Sequence, residues 1–280
     1  MEMTTEAAEK VKTVLSYTII FLAVLAVLYP TIWIINAAIN PNNSLTSSTL
    51  IPTDATLENF KKLFRDYPFL KWYFNTIKIG LLNSAIAVSL TALIGYVFSK
   101  YRFIGRKYGL MALLVVQMFP VMMAMVAIYV LLNIFGLLDT HTGLLIVYLG
   151  QAVPFTSWML KGYFDSIPTS LVDAARIDGA GRLRVFWQIM LPLAKPMLAV
   201  AAMMSFVRSV NDFVLARIVL TTEGKQTLAV GLYTMITQQF SNDWTLFAAG
   251  AILVAIPILI FMLSMQKYYI SGLSSGATKG

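Results

Sequence analysis

Asp173-Ala174-Ala175-Arg176-Ile177-Asp178-Gly179, closing on Ile189-Met190-Leu191-Pro192, is a charged segment set between two long apolar ones. Its spacing is acid-Ala-Ala-x3-Gly-x9-Ile-x-Leu-Pro. The apolar stretches around it decide the fold class. A bilayer core of about 30 Å takes roughly 20 apolar residues as a helix. Segments 14–39, 72–98, 110–135, 144–160, 197–220 and 244–269 qualify, the fourth being short. The expectation is an all-α membrane protein with six transmembrane helices.

Composition supports that class and excludes others. Hydrophobic residues make up 58% and charged residues 12%, and mean hydropathy is +0.74. Soluble domains carry about 25% charged residues, so this surface cannot be fully wetted. The net charge of +8 points to basic cytoplasmic loops and not to nucleic acid, which needs a patterned basic face on a soluble domain. The chain has no Cys and one His, His141. Disulfides, thiolate sites and His-clustered metals are therefore excluded.

Loop charge predicts orientation. With the N-terminus inside, thirteen Lys and Arg fall in inner regions, from Lys10 to Lys279. Five, Lys61, Lys62, Arg65, Lys71 and Lys225, fall outside. Both termini are thus expected in the cytoplasm. The first apolar stretch exceeds the core of a signal peptide and follows Glu2, Glu6 and Glu9, so it reads as a retained span. The organisation is a cytoplasmic tail (1–13), a first span (14–39), an extracytoplasmic loop (40–71), a core (72–270) with a cytoplasmic loop at 165–195, and a C-terminal tail (271–280). Leu57, Phe60, Leu63 and Phe64 predict a short helix in the first loop, lying on the membrane surface or packing on a partner.

In the 165–195 loop, Pro168-Thr169-Ser170 opens a helix with Thr169 or Ser170 as cap and Asp173 in its first turn. Gly179 and Gly181 end it. A second helix then places Leu183, Phe186, Trp187 and Met190 on one exposed face, an arrangement that marks a binding surface.

The full spacing of this elbow resembles the coupling motif of ABC importer permeases, in particular the smaller permease subunit of maltose/maltodextrin importers. The family usually has Glu at the first position; Asp173 keeps the charge with a shorter reach. The runs Gln117-Met118-Phe119-Pro120, Lys161-Gly162-Tyr163-Phe164, Thr227-Leu228-Ala229-Val230-Gly231 and the tail 272–280 are similar to the family's as well. The resemblance implies a type I ABC importer permease fold. It implies that Asp173, Ala174, Ala175, Gly179, Leu183, Phe186, Trp187, Ile189, Leu191 and Pro192 dock into an ATPase homodimer. That ATPase binds the ATP and Mg; this chain carries no cofactor. A second homologous permease subunit, an extracellular sugar-binding protein and membrane lipid complete the partners. In this family most sugar contacts can fall to the second permease. The tail residues Ser274, Ser275 and Gly276, small and nearly uncharged, are expected to reach the ATPase. Glu223, Gly224, Lys225 and Gln226 form a polar turn expected to enter the binding protein's sugar cleft.

Arg208, Asn211 and Asp212 lie in the fifth apolar stretch. Charge at such depth costs several kcal/mol unless paired or wet. Arg208 and Asp212 are four residues apart and are expected to pair, as a structural ion pair or a substrate contact. Asn36, Asn75, Asn83, Gln117, Asn133 and Gln151 are expected to bond between helices. Pro120, Pro154 and Pro257 are expected to interrupt helices. No nucleotide loop exists: Gly224-Lys225 is followed by Gln226, and Val219 stands where a phosphate loop needs its first Gly. The chain is not expected to be an enzyme. The alternatives are an importer of another sugar and, outside the ABC class, an ion-coupled secondary transporter or channel relying on Asp212.

Overall fold

The computed structural model describes residues 2–42, 52, 54–237 and 243–277, with side chains described from residue 9 to residue 268 within those ranges. Its regular structure there is helical: α1 (Glu2–Ile39), α2 (Glu58–Asp66), α3 (Phe69–Lys100), α4 (Gly109–Gln117), α5 (Val121–Ile134), α6 (His141–Ser166) and α7 (Thr169–Ile177). Then α8 (Arg182–Val185) continues as a π turn (Phe186–Met190) into α9 (Leu191–Leu193). The chain closes with α10 (Lys195–Asn211), α11 (Val214–Val219), α12 (Leu228–Met235) and α13 (Trp244–Ala277). Glu9–Ile39, α3, α6 and Trp244–Tyr268 are each long and apolar enough to cross a membrane. Two bent pairs raise the number to six if each is one span.

The bends have local causes. The third apolar stretch, expected as one span interrupted at Pro120, turns by 98° between α4 and α5, where Pro120 adopts ψ 122. Proline removes a ladder N–H and biases its predecessor away from helix. The second bend, 77°, lies between the segment Arg182–Leu193 and α10, at Ala194 just before Lys195-Pro196. The fifth stretch is further interrupted where α10 stops at Asn211, Asp212 is extended at ψ 126 and α11 starts at Val214. Pro154 and Pro257 behave otherwise than expected, lying inside the continuous helices α6 and α13. Membrane helices absorb a lost proline hydrogen bond through local adjustment and neighbouring groups.

Contacts divide the chain into two units, residues 1–67 with 232–253, and 68–231 with 254–280. In the first, α1 exposes its apolar side chains along most of its length, and only its end is buried, at Asn36, Ala37, Ala38 and Asn40. There Asn59 of α2 donates through Nδ2 to the carbonyls of Ala38 (3.0 Å) and Asn40 (2.8 Å), satisfying groups a helix end leaves orphaned. The α2 face reads differently from expectation: Leu63 is buried while Leu57 and Phe64 stay exposed. Residues 43–51 of the loop expected to be extracytoplasmic lie outside the described residues.

In the second unit α3 is the central helix, packed on α6 and α10. Small residues permit the approach. A Cβ on Gly80 would meet Phe206 at 3.0 Å, and one on Gly95 would meet Leu160 Cβ and the Lys161 backbone at 3.0 Å. Polar groups then join the helices as expected for Asn83, whose Nδ2 donates to Ser209 Oγ (2.7 Å) and the Ser205 carbonyl (3.2 Å). Ser84 Oγ donates to the Ala202 carbonyl at 2.9 Å.

Candidate functional site

At one end of the second unit, α7 and α8 form the elbow. Helix α7 has Pro168 as its N-cap residue with no side-chain cap bond, so neither Thr169 nor Ser170 caps it. Asp173 stands one turn in, not in the first turn; it makes an exposed 3.8 Å pair with Arg176, worth little energetically. The stop is Gly179. The Ala180 N–H donates to the Ala175 carbonyl (2.9 Å) and the Gly179 N–H to the Arg176 carbonyl (3.0 Å), with Gly179 at φ +79. That is the Schellman closure, whose turn residue sits in the left-handed region glycine enters without strain. Gly181 has φ −68 and needs no such freedom.

The exposed face differs from the expected one. Leu183 (71% exposed) and Trp187 (60%) face outward, but Phe186 and Met190 are buried. The apolar arc of this helix is wider than its free face, so the boundary between bundle and solvent runs through it. Phe186 packs against Tyr96 at 5.0 Å between ring centres, in a core with Phe164, Val172, Ala175 and Met190. Ala174 and Pro192 are exposed, and Ala175 is buried; Ile189 and Leu191 are half-buried. Composition-led reading missed Ile177, 87% exposed; a bulky apolar residue two before the stop glycine was the available signal. Ile177, Leu183 and Trp187 make a protruding apolar surface.

This elbow is mounted rigidly on α3 and α6. Tyr96 Oη bonds Tyr101 Oη (3.0 Å) and donates to the Arg182 carbonyl at 3.3 Å; the Arg182 guanidinium lies 5.2 Å from the Tyr101 ring centre. Lys100 Nζ donates to the Ile167 carbonyl at 2.9 Å. Asp165 accepts from Ser99 Oγ (2.7 Å) and Lys161 Nζ (2.6 Å). Tyr163 Oη donates to the Leu193 carbonyl at 3.2 Å. These contacts join the elbow to both helices.

At the other end, the turn Glu223–Lys225 is held from several sides. Trp72 Nε1 donates to the Glu223 carbonyl (2.8 Å), and Asn75 Nδ2 donates to the carbonyls of Gly224 and Gln226, each at 3.0 Å. Asp139 accepts from Thr222 Oγ1 (2.6 Å), Lys225 Nζ (2.8 Å) and two backbone N–H groups. Burial opposes the Asp139 carboxylate, but the donors of Lys225, Thr222 and Thr221 outweigh it and hold the carboxyl well below the usual range. A lowered carboxyl contributes stability above its unfolded pKa and loses it only as pH falls through the folded one. The tie thus survives mild acid. Glu223, Gly224 and Lys225 are exposed; Gln226 and the family-like run from Thr227 are buried, apart from the half-buried Ala229.

Between the two ends lies a cavity of about 750 Å³ bounded by α4, α5, α6 and α10. A smaller one of about 280 Å³ adjoins it at Gln151 and Arg208 and reaches Asn211 and Asp212. The expected Arg208–Asp212 pair does not form. Asp212 Oδ2 accepts from Tyr148 Oη (2.8 Å) and the Ala216 N–H (2.9 Å), and Arg208 donates to Gln151 Oε1. Four-residue pairing presupposes a continuous helix, and this one ends at Asp212. The tail residues Ser274, Ser275 and Gly276 lie on the helical backbone of α13; their side chains are outside those described.

Residues 87–274 match the model of the family described as binding-protein-dependent transport system inner membrane component. The chain is 40% identical over 278 residues to the maltodextrin transport system permease protein MdxG of Bacillus subtilis (strain 168), covering 99% of this chain and 100% of that one. It is 39% identical over 273 residues to the galactooligosaccharides transport system permease protein GanQ of the same organism, covering 96% of each. The fold also matches a chain of a bacterial ABC transporter involved in alginate import, with TM-score 0.69 and 17% identity over 90% of this chain and 94% of that one. The broken spans, the elbow and these likenesses agree: the chain belongs to the binding-protein-dependent transport system inner membrane components, and is a multi-pass permease subunit of an ABC importer.

Proposed function

We propose that this chain forms one half of the membrane path of an ATP-driven importer of oligosaccharides, with maltodextrin as its cargo. The observation that carries the reading is the elbow: an apolar knob of Ile177, Leu183 and Trp187 held by a glycine stop and bolted to α3 and α6. A knob so mounted suits a motor on a separate chain. An ATPase homodimer binds ATP and Mg, closes, and turns the elbow; α3 and α6 follow, and the path passes from inward-open to outward-open. The elbow end and both termini lie in the cytoplasm, in line with the thirteen inner against five outer basic residues. A second permease subunit supplies the other half. The tail at Ser274, Ser275 and Gly276 reaches the ATPase. On the outside, the braced turn at Glu223, Gly224 and Lys225 meets a sugar-binding protein.

Similarity to the maltodextrin permease supports the cargo. Almost equal similarity to the galactooligosaccharide permease favours a second reading with that cargo. The ion-coupled alternative loses its support, because Asp212 is committed to Tyr148 and to the start of α11. Uptake of labelled maltotriose by cells carrying the complete transporter, competed with unlabelled sugars, tests the cargo. Maltodextrins are expected to compete at low concentration and galactooligosaccharides only in large excess. The reverse order would assign the second cargo, and no competition by either would reject both.

A further inference from the structure

We propose that the 750 Å³ cavity is a sugar-contacting subsite belonging to this chain itself, formed by Gln117, Phe119, Gln151, Phe155, Ser205 and Arg208. It rests on the oligosaccharide reading and adds that cargo touches this subunit, not the second permease alone. The volume falls in the range of small-molecule sites, about 300–1,000 Å³.

Gln151 is the centre of the argument. Its carbonyl accepts from Gln117 Nε2, and its Oε1 accepts from Arg208. A guanidinium only donates, so the oxygen of the amide must face it. The Nε2 donor is then the remaining end, and it is buried without a partner. Ser205, 2% exposed, lines the same cavity with its Oγ also unpartnered. A buried polar group left unpaired is unfavourable. Both atoms are closed off from the cavity in this arrangement, so each would reach a hydroxyl oxygen of an occupant only after its side chain turns toward the cavity. A small rotation about the soft terminal torsion of Gln151 presents its N–H groups.

The walls fit the same ligand. Phe119 and Phe155 line the cavity and are largely exposed, offering flat apolar faces to the C–H faces of sugar rings. Charge favours a neutral glycan. Arg208 has no carboxylate within ion-pair distance among the described residues, but Asp212 lines the adjoining cavity with it, so the two adjoining cavities together carry one charge of each sign. An anionic sugar would meet Asp212 as well as Arg208.

The test uses the assembled transporter in proteoliposomes, with its ATPase, second permease and binding protein, and maltotriose as cargo. Sugar delivered per ATP hydrolysed is measured for wild type, Gln151→Ala and Ser205→Ala. A subsite that holds sugar after release from the binding protein predicts futile cycling when it is lost. Binding-protein-stimulated hydrolysis stays near wild type for Gln151→Ala, and sugar per ATP falls about ten-fold, the factor given by ~1.4 kcal/mol. Ser205→Ala is expected to show the same split, smaller. An unchanged ratio in both variants overturns the proposal. So does a parallel fall of hydrolysis and uptake, or loss of the partner subunits, either of which makes the cavity a packing surface. Absence of any ATP-linked uptake by the wild type would instead contradict the importer reading.

Discussion

Gly179→Asp is expected to abolish uptake and to release the ATPase from membranes that still contain the chain. The cause is not crowding inside the chain, since a Cβ at Gly179 has nothing within 4 Å. Two effects remain. A side chain at φ +79 is strained by roughly 1–2 kcal/mol, which loosens the stop between α7 and α8. A carboxylate then projects beside Ile177, Leu183 and Trp187 on a face that must be desolvated when the motor docks. Burying an unpaired charge costs several kcal/mol, far more than the strain. Gly179→Asn separates the two, since Asn tolerates this backbone and carries no charge. Copurification is expected to be lost with Asp and largely kept with Asn. Equal ATPase retention in Asp and wild type, with normal uptake, would refute the docking role.

The largest effect on stability is expected at Gly231. A Cβ there would sit 2.2 Å from two atoms of the Trp72 ring, and Trp72 is among the largest fully buried side chains. Neither element retreats easily: Trp72 is tied to the Glu223 carbonyl, and the start of α12 is tied to Thr76 through the Leu228 N–H at 2.7 Å. Gly231→Ala should therefore destabilise the protein by about 1–3 kcal/mol or more through overpacking. It should also free the Glu223–Lys225 turn, because the same indole braces it. A lowered thermal midpoint in detergent, with faster proteolysis at Lys225, is the expected readout. A midpoint within error of wild type would show that the Trp72 contact is looser than described.

These two residues also mark how far the sequence could be read. Gly179 was legible because its role is local: a helix whose last turn meets a glycine stops there, whatever surrounds it. Gly231 was visible only as part of a family-like run, since nothing in its neighbourhood announces Trp72, far away in the chain. The same divide separates Leu183 and Trp187 from Phe186 and Met190. Helical spacing groups all four, and only packing on Tyr96 and Phe164 decides which of them turn inward. Arg208 and Asp212 failed for another reason. Their pairing assumed an unbroken helix, and the break at Asp212 turned that carboxylate toward Tyr148 and the first turn of α11. The four unbroken spans were readable from hydropathy alone. The break at Pro120 was readable as well, but its 98° angle was not, and nothing local told it apart from Pro154 and Pro257, which lie inside continuous helices. Asp139 passed unnoticed as an ordinary loop acid, although it gathers Thr221, Thr222 and Lys225 around itself.

The central claim is that a separate ATPase drives this chain through the elbow. A single cysteine is placed at Leu183 in the otherwise cysteine-free chain, and the reconstituted transporter is crosslinked with a short thiol reagent to cysteines introduced along the ATPase surface. The account predicts one dominant crosslink from residue 183 to the ATPase, with ATP-driven maltotriose uptake stopped by the crosslink and restored when it is cleaved. Crosslinks confined to this chain or to lipid, or full uptake with the crosslink in place, would contradict it.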